Sequence, residues 1–173
     1  MLLYHKTDKE YFEQILSDGK LKPSSKTKNK NENPYNFFSK YIFFHTIPKT
    51  QLKNFIGIGI CFDQSILLNR VFYTNENHSA GNLKSSKKYK ISDNNKLTKV
   101  LYSLYRHSLN IVKAIKMEIF VLSVFQEIFT KFEPSLKDAK YIILNKKEPK
   151  LISKIKELYP HITIIISEVK FKK

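Results

Sequence analysis

Hydrophobic positions along the chain fall into short runs of two kinds, separated by polar stretches rich in Lys, Asn and Ser. Runs dense in β-branched and aromatic residues predict strands. These are Leu2 to His5, Tyr41 to His45, Ile56 to Phe62, Val71 to Thr74, Met117 to Val124, Ala139 to Leu144 and His161 to Ser167. Other runs repeat at helical spacing. Tyr11, Phe12, Ile15 and Leu16 follow Thr7-Asp8-Lys9-Glu10, which matches a capping box, and Gly19 closes that helix. Leu97, Val100, Leu101, Leu104, Leu109, Val112 and Ile115 predict one or two helices over 96–115, with a break expected near His107. Leu151 to Leu158 predicts another helix, ended by Pro160. Segments of about 20–36 and 75–95 have no apolar period and read as basic loops. The order of elements predicts a single α+β domain over residues 1–173, a central sheet with flanking helices.

Composition adds a charge. Lys and Arg number 31 against 15 Asp and Glu, a formal net charge of +16, so the surface carries a positive field that seeks phosphates. Cys61 is the single cysteine, which excludes an intramolecular disulfide and a multi-cysteine zinc site from this chain alone. The five histidines lack helical metal-ligand spacing, and no metal is expected. The longest apolar stretch, Phe55 to Phe62, is too short to span a bilayer, so the expectation is a soluble, cytoplasmic monomer without a membrane partner.

Candidate chemistry begins at Leu3-Tyr-His-Lys-Thr7, followed by a helix and Gly19-Lys-Leu21. A histidine at a strand end with a threonine two residues on can place both side chains at one strand-to-helix mouth, a site for a ribose or phosphate. Glu118 is the sole charge within Met117 to Val124, where an unpaired core carboxylate would be costly. Lys84-Ser-Ser-Lys-Lys-Tyr-Lys90 interleaves lysines with an aromatic, a combination suited to a single-stranded backbone and a stacked base.

Taken in order, these segments resemble the DarT-like branch of ADP-ribosyltransferases, which open with a strand, a His-x-Thr, a helix and a Gly-x-Leu turn. Arg70 to Ala80 is similar to the family's strand leading into a Thr-Asp-Gly-Asn-Ala-like segment, and Lys116-Met-Glu-Ile-Phe-Val121 to its catalytic Ala-Glu-Phe-Leu-Val strand. Tyr11 stands where the family has an NAD-contacting Asn, and Lys49 where an Arg follows a Thr-Pro. The resemblance implies a split, mixed or antiparallel sheet and NAD as ADP-ribose donor. It further implies a nucleobase acceptor in single-stranded DNA and a macrodomain antitoxin as partner. It assigns catalysis to Glu118 with Lys49, and the NAD site to His5, Lys6, Thr7, Gly19 and Leu21, with Phe44 or Tyr73 stacking on nicotinamide. Lys84, Lys87, Lys88, Tyr89 and Lys90 would contact nucleic acid.

Two other readings stay open. A non-catalytic basic module would clamp nucleic acid with the lysine loops. A two-histidine phosphoesterase would pair His5-Lys-Thr7 with His161-Ile-Thr163.

Overall fold

Strand-forming runs in this chain satisfy their backbone by pairing with one another, and the amphipathic helices bury their stripes on the sheet that results. The computed structural model describes residues 1–27, 38–54, 57–75, 86–114 and 127–167. Its strands are β1 (Leu2–Thr7), β2 (Ile42–Ile47), β3 (Ile58–Asp63), β4 (Val71–Asn75), β5 (Ser86–Lys90), β6 (Glu127–Thr130), β7 (Ala139–Leu144) and β8 (Thr163–Ile166). Its helices are α1 (Lys9–Asp18), α2 (Asn94–Ala114) and α3 (Pro149–Leu158). All eight strands join one sheet in the order β5-β4-β6-β2-β1-β3-β7-β8. Neighbours are antiparallel except β7 and β8, which run parallel around the α3 crossover. The expected α+β domain with a mixed sheet is what forms.

Several local expectations change. Thr7 stays extended, paired with Ile58, so it cannot cap α1; Asp8 takes that position without a side-chain capping bond. The segment 75–95 is not all loop, because β5 and the start of α2 lie within it. Its lysines hid a strand at the sheet edge, where charge is the usual protection against stray pairing. Helix α2 runs unbroken through His107. Strand β6 was not expected, and Met117 to Val124 lies outside the described residues. His161 precedes β8, in a turn.

The two faces of the sheet are unlike. All three helices contribute to one cluster, with Phe12 and Leu16 from α1, Leu97 and Leu101 from α2, and Leu151 and Ile155 from α3 packed against Leu3, Phe44, Ile60, Phe72, Ile128 and Ile142. The opposite face carries a smaller cluster of Leu2, Tyr4, Ile47, Leu52, Cys61, Tyr105 and Ile143, and beside it an aromatic cluster around Tyr41 and Phe129. Among the described residues, no helix is long and apolar enough to cross a membrane.

Strand β1 is paired on both sides only in its first half. Leu2, Leu3 and Tyr4 pair with Ile47, Thr46 and His45 of β2, whereas pairing with β3 continues through Thr7. Strand β2 instead continues with β6, down to Ile42 opposite Thr130. The sheet therefore splits after Tyr4 and His45.

Packing at this point is tight. Tyr4 is fully buried, and a Cβ built on Gly59 would lie 2.0 Å from its ring. Only glycine leaves the ring its space. Gly59→Ala is expected to lower stability by about 2 kcal/mol or more, and adding Tyr4→Leu to recover part of the loss, both read by urea denaturation.

Candidate active site at the split of the sheet

Strand pleat and register decide which side chains share the split. His45 pairs with Tyr4 on one side and Glu127 on the other, and Tyr4 pairs with Cys61, which pairs with Tyr141. Tyr141, Cys61, Tyr4, His45 and Glu127 thus form one row across five strands, on the face opposite the larger core, where Tyr105 of α2 also packs. Glu127 opens β6 where the split begins.

His5 borders the gap on the β1 side. Its Nδ1 lies 2.9 Å from the Phe43 carbonyl of β2, so the ring bridges the two diverging strands. A carbonyl only accepts, so Nδ1 carries the proton in this bond and Nε2 is left as an acceptor. Phe44 is fully buried and sets an edge-to-face contact with the His5 ring at 5.9 Å, which holds the imidazole from behind. Next along β1, Lys6 is exposed and lies alongside Gly57, while the Thr7 hydroxyl donates to the Asp8 carbonyl at 3.3 Å.

Burial shapes the protonation of this site. It lowers His5, an effect partly offset by the Phe43 carbonyl. It pulls His45 down to about 4, helped by the nearby cationic forms of His5 and Lys6, and it raises Glu127. His45 is thus neutral at physiological pH. Burial also pushes the Tyr4 hydroxyl and the Cys61 thiol far up, so neither is an anion. Among the described residues no group of three or more His, Cys, Asp or Glu could hold a metal ion.

Other expected site residues fall elsewhere. Gly19 caps α1 in the left-handed region, its N–H donating to the Ile15 carbonyl and its own carbonyl accepting from Leu136 at 2.8 Å. Leu21 is buried in the core and donates its N–H to Pro134. Lys49 begins a short 3-10 turn over 49–54, its ammonium 5.7 Å from the Tyr141 ring. Tyr141 is four strand spacings, about 19 Å, from Glu127, so the turn does not bring Lys49 and Glu127 together. Lys87, Lys88, Tyr89 and Lys90 lie on β5, and Tyr89 stacks on Phe72 at 5.3 Å. Glu118 and Lys84 lie outside the described residues. The two His-x-Thr segments sit at β1 and β8, with β3 and β7 between them, so the pairing a two-histidine phosphoesterase needs does not form.

Glu127 and His45 were missed by sequence reasoning. Glu118-Ile-Phe120 and Glu127-Ile-Phe129 are the same tripeptide, and the first sits in the longer apolar run. The available signal was the order of elements C-terminal to the second copy. Glu127 is succeeded by a 3-10 turn over Leu136–Asp138, a strand, a helix and a final strand.

The mixed sheet, split between its central strands, is DarT-like in fold. A DarT from Thermus sp. 2.9 in complex with NAD+ matches with a TM-score of 0.60 at 12% identity, covering 96% of this chain and 95% of that one. The same protein in complex with ADP-ribosylated ssDNA matches at 0.59 and 10% identity, covering 96% and 94%. Thermosipho africanus DarTG in complex with ADP-ribose matches at 0.52 and 13% identity, with 95% of this chain covering 49% of that one. No protein-family model matches the sequence, and no curated protein matches it.

The His45 shift gives a pH dependence. The unfolded chain binds a proton at this imidazole near pH 6.5, which the folded protein refuses until about 4, so stability rises with pH across that window. On acidification the loss from this group is on the order of 3 kcal/mol, complete by about pH 4. Glu127 acts with the opposite sign, its raised value favouring the fold at low pH and losing that contribution as pH rises through the folded value. His45→Gln should therefore flatten the rise in stability between pH 4 and 6.5, read from urea midpoints at intervals of pH; an unchanged slope would contradict the assignment.

Proposed function

We propose that this protein is an NAD-dependent ADP-ribosyltransferase that modifies a nucleobase, most naturally in single-stranded DNA. The observation that carries the reading is the split after Tyr4 and His45, with His5 on its β1 bank and Glu127 beside His45 on the next strand, β6, in a fold shared with an NAD+-bound DarT. The residues present suit the donor. His5 Nε2 accepts from a ribose hydroxyl, Lys6 offers charge to the diphosphate, and Glu127 meets the second ribose.

Transfer asks for one bond to break and one to form. The bond between the anomeric carbon and the nicotinamide nitrogen breaks, its electron pair leaving with nicotinamide, and positive charge spreads over the ribose ring. Glu127 as carboxylate stabilises that charge and holds the ribose hydroxyl in place. A nitrogen or oxygen of the acceptor base then attacks the same carbon, and its proton passes to Glu127 and on to water. Burial that raises Glu127 makes it the better base for that last step.

Glu118 remains the carboxylate suggested by the sequence alone, and Glu127 the one supported by geometry. Gly19 and Leu21 have structural roles, since both bond to the connection between β6 and β7 at Leu136 and Pro134. A toxin role and a macrodomain partner fit this reading, in keeping with the DarTG likeness.

The test is transfer of ADP-ribose from labelled NAD to single-stranded oligonucleotides, read as mass gain on the DNA. Glu127→Gln is expected to lower transfer by about 100-fold or more while melting near the wild-type temperature, and Glu118→Gln to leave it within a few-fold. The converse pattern moves the role to Glu118. Absence of transfer and of any NAD-induced rise in melting temperature in the wild type overturns the reading.

A further inference from the structure

Lysines of β5 divide between the two faces of the sheet, because side chains alternate along a strand. Lys88 pairs with Tyr73 and Lys90 with Val71 across β4 and β5, and Tyr73 pairs in turn with Phe129 of β6. Partners in a ladder share a face, so Lys88 and Lys90 stand on the face that holds Phe129 and, two residues back along β6, Glu127. Lys131 joins them: its ammonium lies 5.5 Å from the ring of Tyr41, which packs edge-on against Phe129 at 5.3 Å. Lys87 turns the other way. It pairs with Thr74, opposite Ile128 of the helix-covered core, and its ammonium lies 5.5 Å from the Tyr89 ring, which stacks on the core residue Phe72.

Lys88, Lys90 and Lys131 are exposed, and among the described residues none of them forms an ion pair. Lys88 and Lys90 are about 7 Å apart along β5, and Lys131 is two strand spacings, about 10 Å, across from that strand. Val71 lies exposed on the same face. Glu127 is the one carboxylate within β4, β5 and β6, and it stands at the far end of this face, beside His45. Glu133, the next acid along the chain, is taken up by Lys20 and Lys26. Three cations without counter-charges, at this spacing on one open face, suit the successive charges of a phosphate backbone.

We infer that the face carrying Lys88, Lys90 and Lys131, and not β5 as a whole, is where a single-stranded polynucleotide lays its phosphate backbone on the way to Glu127. The inference rests on the transferase reading for its direction, since a base meets a carboxylate only when it is free of a duplex, and the strand that leads up to Glu127 is then single. The three lysines contact phosphates, which fix where the strand runs and carry no base information.

Anisotropy of a labelled oligo-dT, titrated with protein over a salt series and without NAD, reads the number of phosphate contacts. Lys88→Gln, Lys90→Gln and Lys131→Gln are each expected to lower the log–log salt slope by about 0.7, the triple variant by about 2, and Lys87→Gln to leave it unchanged. All four lysines are exposed, so each variant keeps the wild-type melting transition. An equal loss for Lys87→Gln would mean that the general field of a +16 chain does the binding, and would overturn the assignment. So would absence of oligo-dT binding, or a duplex of the same length that binds as tightly and loses the same slope. If the triple variant loses its slope while wild-type protein shows no NAD-induced thermal shift, the transferase reading fails and the phosphate face stands. If wild-type protein transfers ADP-ribose and the triple variant binds and transfers equally well, the reading stands and the phosphate face fails.

Discussion

The pairing of β1 holds this structure together and also opens it. Over Leu2 to Tyr4 the strand is bonded on both sides, and the fully buried Tyr4 ring fills the space that Gly59 leaves. Beyond Tyr4 the chain must follow β3 to reach α1, while β2 must follow β6. Strands that part leave backbone groups without their ladder partners, a cost unless something else meets them. The His5 imidazole meets the Phe43 carbonyl and so becomes part of the gap's construction. His5 therefore helps to keep the two banks at a fixed separation.

Among the described residues most of the helix packing falls on one face, and this has a consequence for chemistry. That face acquires the larger core, with Phe44 and Ile128 sealed against helices, and the opposite face keeps a thinner cover. Side chains alternate along each strand, so β2 sends Phe44 into the core and His45 to the thinner side, and β6 does the same with Ile128 and Glu127. Burial there keeps His45 neutral and raises Glu127. Lysines concentrate on the outer strand β5, which keeps their charge out of the core.

Much of the fold could be read from the chain. Strands β1, β2, β3, β4 and β7, helices α1 and α3 and the bulk of α2 follow from local periodicity, because each presents enough apolar side chains within one short window. Strand β5 could not be read so, since Ser86-Lys-Lys-Tyr-Lys90 needs only Tyr89 to pack, and its backbone is recruited by β4. Strand β6 is short, and its identity as a strand depends on β2 and β4 standing on either side. His5 was legible as a candidate because its motif is local, lying at a strand end before a helix.

By itself the sequence determined the element types, a strongly basic surface, the His5-Lys-Thr7 segment and the resemblance to DarT-like transferases. Tertiary structure alone decided that Glu127 neighbours His45, that Lys49 sits above Tyr141, and that three distant aromatics form one row. Periodicity acts over a few residues and is written in the chain. Register between β2 and β6 joins residues some eighty positions apart, and a shift by one residue would turn Glu127 into the helix-covered core and Ile128 out of it.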